Sequence, residues 1–425
     1  MYLPAEPRSR VLEQKKIVVI GAGVVGTCCA LEAVMRGHKV SLIDPRAPGT
    51  GTSFGNAGSI AIGSIWPSST PGLWKQLPKM IIDPKSPVQT RWSTLPQMAP
   101  WLARFFLSGR PSRIADISAA LAALAQTAMP AHTDLMKQHG IGGIMEPVGW
   151  LKVYPNAASF QKSAAERAAM EAAGVNAETL DEDELRQLEP NLHRRFKIGF
   201  FQPDNGFVTS PLKLTEAYAE AFCRLGGAIF PEEVRDFTIG ADGPSQVITD
   251  LGMHDCDMVV LATGAKSQQL ARRLGAPVLV QAERGYHANI IRSGESLLRR
   301  PTVIGDVGCV IAPMADGYRI TTGSELSTPD APPDFRLLRR HVARAREALP
   351  GLDGEVNREW MGRRPATPDS LPVIGRSPRH QNVLLAFGHG HIGLTLSART
   401  GQIIGDLIDG NSPGVDLSPY RPNRF

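Results

Sequence analysis

Five consecutive residues, Lys16 to Ile20 (KIVVI), leave no room for a polar face, so they read as a strand buried on both sides in a parallel sheet. Glycines follow at once. The stretch GAGVVGTCCALEAVMRGHKVSLID then reads as a tight turn, a helix stopping at Gly37, and a second strand from Lys39 to Ile43 that ends in Asp44. A strand, helix and strand in so short a stretch commit this part of the chain to an α/β fold, because parallel strands need a crossover between them.

Gly21, Gly23 and Gly26 form the pattern GxGxxG. With 42 Gly in 425 residues, random placement alone supplies about 0.4 such matches. Gly388, Gly390 and Gly393 make a second match. Context sets the first apart: it follows a buried strand, opens a helix, and is followed 44 − 26 = 18 residues later by an acid at a strand end. Gly21 permits the turn, Gly23 lets a pyrophosphate approach the backbone, and Gly26 lets helix and strand pack closely; the helix N-terminus offers N–H groups to phosphate. Asp44 is placed to bind ribose hydroxyls. The pattern serves NAD and FAD alike, so an NAD-dependent dehydrogenase and a non-catalytic nucleotide-binding protein both stay open at this point.

The charge is nearly balanced, with 46 Lys and Arg against 41 Asp and Glu and a formal net charge of +5 spread along the chain. The densest basic run, Arg336 to Arg346, is interrupted by apolar residues at helical spacing and reads as a solvated helix face, so no nucleic-acid partner is implied. Five cysteines without a CxxC pair argue against a disulfide framework and against a zinc site, and no metal is expected. No run of 18 or more apolar residues occurs, and the first sixteen residues lack the apolar stretch of a secretory signal. A cytoplasmic location is therefore expected, with contact to the inner face of the cell membrane peripheral at most.

Further along, Trp66 to Arg113 is rich in Pro and Trp, and Ala-rich helical sequence continues to about Gly140. Residues 204–264 restore the α/β alternation: a helix over Pro211 to Leu225, strand material at Ala228 to Val234, and an apolar strand, MVVLATG, ending at Gly264. Val278 to Gly323 is β-rich, with Asp316-Gly317 as a hairpin turn. The chain closes with a strand at Val383 to Phe387, a run of glycines, and a helix from Gly393 to about Ile408.

The ordered combination of TSFGNAGSI at 52–60, the strand end Ala262-Thr263-Gly264, WMGRRPATPDSLPVIG, and FGHGHIGLTLSARTGQIIGDLI resembles the D-amino-acid dehydrogenase group of the D-amino-acid oxidase and glycine oxidase superfamily of flavoproteins, over residues 16–410. The resemblance implies an α/β, Rossmann-like FAD-binding domain of GR2 type assembled from 14–95, 204–276 and 355–425. It also implies a substrate domain built on a large antiparallel sheet from 96–203 and 277–354. FAD should be non-covalent, because relatives with a covalent flavin use a C-terminal Cys and the last cysteine here is Cys309. Carried over by position, Gly21, Ala22, Gly23, Val24, Val25 and Gly26 would hold the pyrophosphate and Asp44 the ribose. Ser53, Gly55, Asn56, Ala57 and Gly58 would face the flavin, Val234 would touch the adenine through its backbone, and Ala262, Thr263 and Gly264 would close the pyrophosphate site.

The C-terminal strand, glycines and helix have their own reason to meet a flavin. Two-electron reduction puts negative charge near N1 and the C2 carbonyl, and a helix N-terminus stabilises charge there. Gly388, His389, Gly390, His391, Ile392, Gly393, Leu394 and Thr395 are assigned to that role, with a simple packing turn as the alternative. Arg364 in GRRP is the expected substrate anchor, since a guanidinium fork matches a carboxylate bidentately and fixes the α-carbon over one flavin face. In the resemblance, too, the Arg before this Pro binds the carboxylate; Arg363 should point elsewhere, into surface ion pairing. Glycine oxidase has a second Arg where His391 stands, so a two-Arg clamp is not expected. His391 either lines the substrate or makes a structural hydrogen bond, and His389 is structural or flavin-adjacent. Tyr286 and His287 begin a strand that, by resemblance, borders the substrate pocket, where Tyr286 either donates to a carboxylate or packs in the core. Met98, Trp101, Leu102, Phe105 and Phe106 make a helical stripe read as core-facing, in preference to a membrane-lying helix that admits a quinone.

The expectation is FAD-dependent oxidative deamination of a D-amino or imino acid, with D-proline or cis-4-hydroxy-D-proline among the candidates. Hydride would pass from Cα to flavin N5 and the electrons on to a quinone or respiratory carrier. A glycine- or sarcosine-type amine oxidase using oxygen is the nearest alternative.

Overall fold

A computed structural model describes residues 13–73, 88–90, 95–327 and 331–425. Most of the opening segment, and residues 74–87 and 91–94 of the Pro- and Trp-rich stretch, lie outside the described residues. The strand Lys16–Ile20 lies inside a six-stranded sheet, in the order Ala228–Phe230, Lys39–Ile43, Lys16–Ile20, Met258–Leu261, Val383–Phe387, Val373–Arg376. The first five are parallel and the last joins antiparallel. Helix Val24–Met35 and the closing helix Gly393–Asp409 pack together over one face of this sheet. Val18 and Val19 are 1% and 0% exposed; each such side chain contributes about 1.5–3 kcal/mol by burial, which explains why a strand with no polar face forms here.

The expected strand over Ala228 to Val234 is two strands in different sheets. Pro231 follows Phe230 and has no N–H to extend the ladder. Val234–Gly240 then pairs in a separate three-stranded sheet with Gly243–Thr249.

A second, nine-stranded sheet has the order Val356–Ala366, Gln281–Ile290, Gly317–Leu326, Cys309–Met314, Thr302–Ile304, Trp150–Tyr154, Ile198–Gln202, Glu178–Leu180, with Val88–Thr90 added beside Gly317–Leu326. Its pairings are antiparallel except at two places. The expected hairpin is present between Cys309–Met314 and Gly317–Leu326, but its turn residues are Ala315 and Asp316, one position earlier than expected, and Gly317 already pairs with Met314. The sequence reading put 355–425 with the nucleotide sheet; Val356–Ala366 instead pairs along its length with Gln281–Ile290. A long strand with mixed side chains carries no mark of which sheet it joins, since partners are chosen by distant residues.

The stripe helix Leu95–Ser108 buries Met98 and Trp101, and the Trp101 indole donates to the Ala366 carbonyl at 3.0 Å. Phe105 stacks on Trp101 at 4.9 Å, while Leu107 is exposed. The core-facing side is thus anchored at its first turns. The stretch Pro111–Gln138 is long and apolar enough to cross a membrane by length and composition, and 56% of its most apolar window is buried in the protein. It forms two helices, Pro111–Ala125 and Ala128–Gln138, that pack under the closing helix. The basic helix Arg336–Ala348 buries Leu338, Val342 and Ala345 and turns its arginines outward, with Arg339 paired to Glu359 at 2.9 Å.

Candidate active site

Parallel strands end on one edge of the six-stranded sheet, and the segments leaving them follow the strand order: Glu232 to Val234, Asp44, Gly21 to Gly26, Ala262 to Gly264, and Phe387 to Gly390. Apart from Gly26 and Gly388, these residues together line a cleft of about 1390 Å³ counted to its open mouth. The backbone holds its floor: Gly21 N–H donates to Ile43 O at 2.8 Å and Ala262 N–H to Ile20 O at 2.8 Å. Gly21 has φ of +105°, and a Cβ on Gly26 would overlap the Gly21 carbonyl, so side chains at either place would close the loop. Ala22 N–H donates to Asp44 Oδ2 at 3.0 Å, Arg46 N–H to Asp44 Oδ1 at 3.0 Å, and Val24 N–H to Ser53 Oγ at 3.0 Å. Helix Val24–Met35 has no acid in its first turn, so its N-terminal N–H groups and dipole favour an anion in the cleft. Asp44 keeps lone pairs for ribose hydroxyls. The lining continues past the pyrophosphate loop to Asn56, Gly390, Gly393 and Leu394, which suits an elongated dinucleotide such as FAD.

Val25, Ser53, Val234, Thr263 and Gly264 line this cleft with the residues already named. Gly58 and Gly388 line neither cavity; Gly58 N–H bonds Asn56 Oδ1 at 2.8 Å, and Gly388 turns the chain with φ of +81°. Thr395 Oγ1 accepts from Ala61 N–H at 3.1 Å, joining the closing helix to the strand Ser59–Ile60. His389 is buried, with Nε2 at 3.0 Å from Thr400 Oγ1, and burial pushes its pKa down to about 3.

A second cleft meets the first at Asn56 and Gly390, and its walls include Ala57, Trp150, Ser324, Trp360, His391 and Ile392. Arg364 lies in it. Successive residues of Val356–Ala366 face opposite sides, so Arg364 opens to this second cleft and Arg363 to the dinucleotide cleft. Arg363 was expected at the surface; strand alternation turns it inward, beside Thr52, whose hydroxyl donates to the Arg363 carbonyl at 2.9 Å. Arg363→Ala is expected to weaken FAD binding about tenfold through loss of one charge-assisted contact in the cleft. Titration of the stripped protein with FAD, followed by flavin fluorescence, measures this.

Arg364 pairs across the sheet with Glu283, donating from one terminal nitrogen to Glu283 Oε1 at 3.0 Å and to Ser324 Oγ at 3.4 Å. Ser324 in turn donates to Glu283. The guanidinium lies over Gly285, where a Cβ would overlap it. Gly285→Ala is therefore expected to displace Arg364 and raise the substrate KM about tenfold at unchanged FAD content, since a small misplacement of a positioning group costs that much or more. Burial alone would push the Glu283 carboxyl up; His391 whenever it is protonated, Arg364 and the Ser324 hydroxyl outweigh it and hold the carboxyl below its ordinary range. His391 Nδ1 is 3.9 Å from Glu283 Oε1 and its Nε2 is 3.4 Å from Ser68 Oγ. Its ring opens to the cleft, and desolvation and Arg364 lower its pKa against the pull of Glu283.

The two further residues expected at the pocket differ: Tyr286 borders the second cleft, whereas His287 does not line it. The Tyr286 hydroxyl donates to Glu325, and the ring packs edge-on against Phe335 at 5.5 Å on the opposite face of the strand from Glu283. His287 is fully buried, stacked on Trp360 at 4.9 Å with Nδ1 at 3.3 Å from the Gly55 carbonyl. It shares a face with Glu283 and Gly285 but sits behind Gly55 and Trp360. Glu283, Gly285 and Ser324 were missed because cross-strand register brings them to Arg364, and Arg363 because the same register turns it to the other cleft; Glu283 and Arg364 are 81 residues apart.

The family model described as FAD dependent oxidoreductase, DAO, matches residues 16–407. A D-amino-acid oxidase of Bradyrhizobium diazoefficiens is 34% identical over 420 residues, 97% of this chain and 99% of that one. A D-amino acid dehydrogenase of Rhizobium johnstonii is 31% identical over 418 residues, 96% of this chain and 100% of that one. Among solved structures, an L-proline dehydrogenase from P. horikoshii is similar with a TM-score of 0.76 at 19% identity, covering 98% of both chains. A glycine oxidase from Geobacillus kaustophilus gives 0.75 at 22% identity, covering 97% of this chain and 99% of that one.

Proposed function

We propose, since this chain belongs to the DAO family of FAD-dependent oxidoreductases, that it oxidises the Cα–N bond of a D-amino or imino acid, with Arg364 binding the substrate carboxylate. The observation that carries this is the position of Arg364: its guanidinium opens into a cleft that joins the dinucleotide cleft at Gly390. Bound FAD supplies the two-electron acceptor. Arg364 clamps the carboxylate, Gly285 lets the guanidinium lie flat against the sheet, and Trp360 bounds the space left for the rest of the substrate. Holding the carboxylate fixes Cα at the junction of the two clefts, which is the positioning the reaction requires.

The names of the relatives support the D configuration, as one is a D-amino-acid oxidase and another a D-amino acid dehydrogenase. D-proline and cis-4-hydroxy-D-proline are the proposed preferred substrates, and a quinone or respiratory carrier the proposed acceptor. The relative at 34% identity is named an oxidase, which favours oxygen as a second reading of the acceptor. The proposed setting is the cytoplasm, peripheral to the membrane at most. An anaerobic visible spectrum tests substrate and acceptor together. Bleaching of the flavin by D-proline or another D-amino acid is expected, and equal bleaching by the L-enantiomers overturns the proposed configuration. Hydrogen peroxide on admitting air identifies an oxidase.

A further inference from the structure

A carboxylate stands beside the anchor of the second cleft. The Glu283 side chain is 9% exposed and 3.0 Å from Arg364, and with Ser68 it lines a neighbouring cavity that adjoins the second cleft at Gly390, His391 and Ile392. A buried carboxylate beside the anchor works against binding a second carboxylate, unless the ligand also brings a nitrogen that donates an N–H to it and on which positive charge can form. We propose that Glu283 receives the substrate nitrogen and so restricts this cleft to α-amino and imino acids, against carboxylates that lack an amine. The proposal deepens the function given above and rests on it.

The charge count supports it. Arg364 and Glu283 cancel, with His391 counted in its neutral form. A bound carboxylate then leaves the cleft one negative charge in excess. During oxidation the Cα–H bond breaks, its hydrogen and electron pair go to the bound flavin as hydride, and the nitrogen lone pair closes the C=N bond. The amine that entered neutral leaves as an iminium ion with one positive charge, which restores balance. A fixed carboxylate at the place where positive charge develops stabilises the transition state more than the ground state. Glu283 is not required to seat Arg364, because Gly285 already supports the guanidinium and Ser324 offers it a second acceptor.

Glu283→Gln keeps the side-chain shape and a carbonyl acceptor for Arg364 while removing the charge. Amino-acid turnover should fall about a hundredfold, on the scale of one lost transition-state contact, and Glu283→Asp should recover part of it. Benzoate, a carboxylate without an amine, is read by its perturbation of the flavin absorbance in the FAD-loaded protein, without catalysis. It should bind Glu283→Gln about tenfold more tightly than wild type as the competing charge goes, and it should bind Arg364→Ala more weakly. Loss of benzoate binding in Glu283→Gln as deep as in Arg364→Ala shows that Glu283 only positions the arginine and overturns the proposal, as does unchanged amino-acid turnover. A wild-type flavin that no amino acid reduces instead overturns the function proposed above, a result separate from any change in benzoate affinity.

Discussion

Arg364→Ala is expected to lower kcat/KM for the amino-acid substrate by about a thousandfold, because truncating one partner of a buried, charge-assisted pair costs about 2–5 kcal/mol. Two losses combine in that figure. The substrate carboxylate loses its donor fork, and Glu283 is left as an ionised group in a cleft with its cation gone. The second loss makes the variant worse than empty space would, since the unpaired Glu283 now repels the incoming carboxylate. Arg364→Lys should recover only part, because an ammonium cannot reproduce the planar fork. Steady-state rates normalised to bound flavin measure the effect. A fall of less than about tenfold, with FAD content unchanged, would show that the carboxylate binds elsewhere.

What the sequence reveals of this molecule follows from how local each signal is. The unit from Lys16 to Asp44 is legible because the strand, turn glycines, helix and acid are consecutive, and each is needed by the next. The two clefts are not legible that way. Arg363 and Arg364 are adjacent, and alternation says they oppose one another. Which cleft each of them faces depends on the pairing of Glu283 with Arg364 and Arg284 with Arg363. The same register decides Tyr286 and His287. A tyrosine and a histidine on a strand near a pocket look equally able to reach it. Tyr286 borders the cleft while its hydroxyl donates to Glu325, and His287 is covered by Gly55 and Trp360. Gly285 illustrates the limit well: it sits within ERGYH without a turn signal, and its purpose appears only when a guanidinium lies across it.

Stability should fall steeply as the pH drops from 6.5 toward 4, because three histidines are buried in their neutral form. Burial pushes His132 down to about 4 and His389 to about 3; His287 also falls to about 3, through burial and then the charge of Arg319. The sign follows from where the proton goes. Each folded pKa lies below the unfolded value of 6.5, so the unfolded chain binds protons that the folded chain refuses, and stability rises with pH through this window. The contribution is complete above pH 6.5 and is lost as pH falls toward the folded values. By pH 5 the loss amounts to about 2 kcal/mol for each ring and about 6 kcal/mol for the three, against a total stability on the order of 5–15 kcal/mol. His132 bridges Tyr218 at 3.0 Å and the Leu394 carbonyl at 2.9 Å, tying the start of the closing helix to the core, and His389 meets Thr400 in the middle of that helix. Acid should therefore loosen the helix end that faces the dinucleotide cleft and release flavin as it unfolds the protein. Thermal unfolding of the FAD-loaded protein at pH 8, 6.5 and 5, by circular dichroism, reads the slope; a midpoint that stays level down to pH 5 would refute it. His287→Phe keeps the stacking on Trp360 without a titratable ring, and should flatten the acid limb by about a third, since one of three equal contributions is removed.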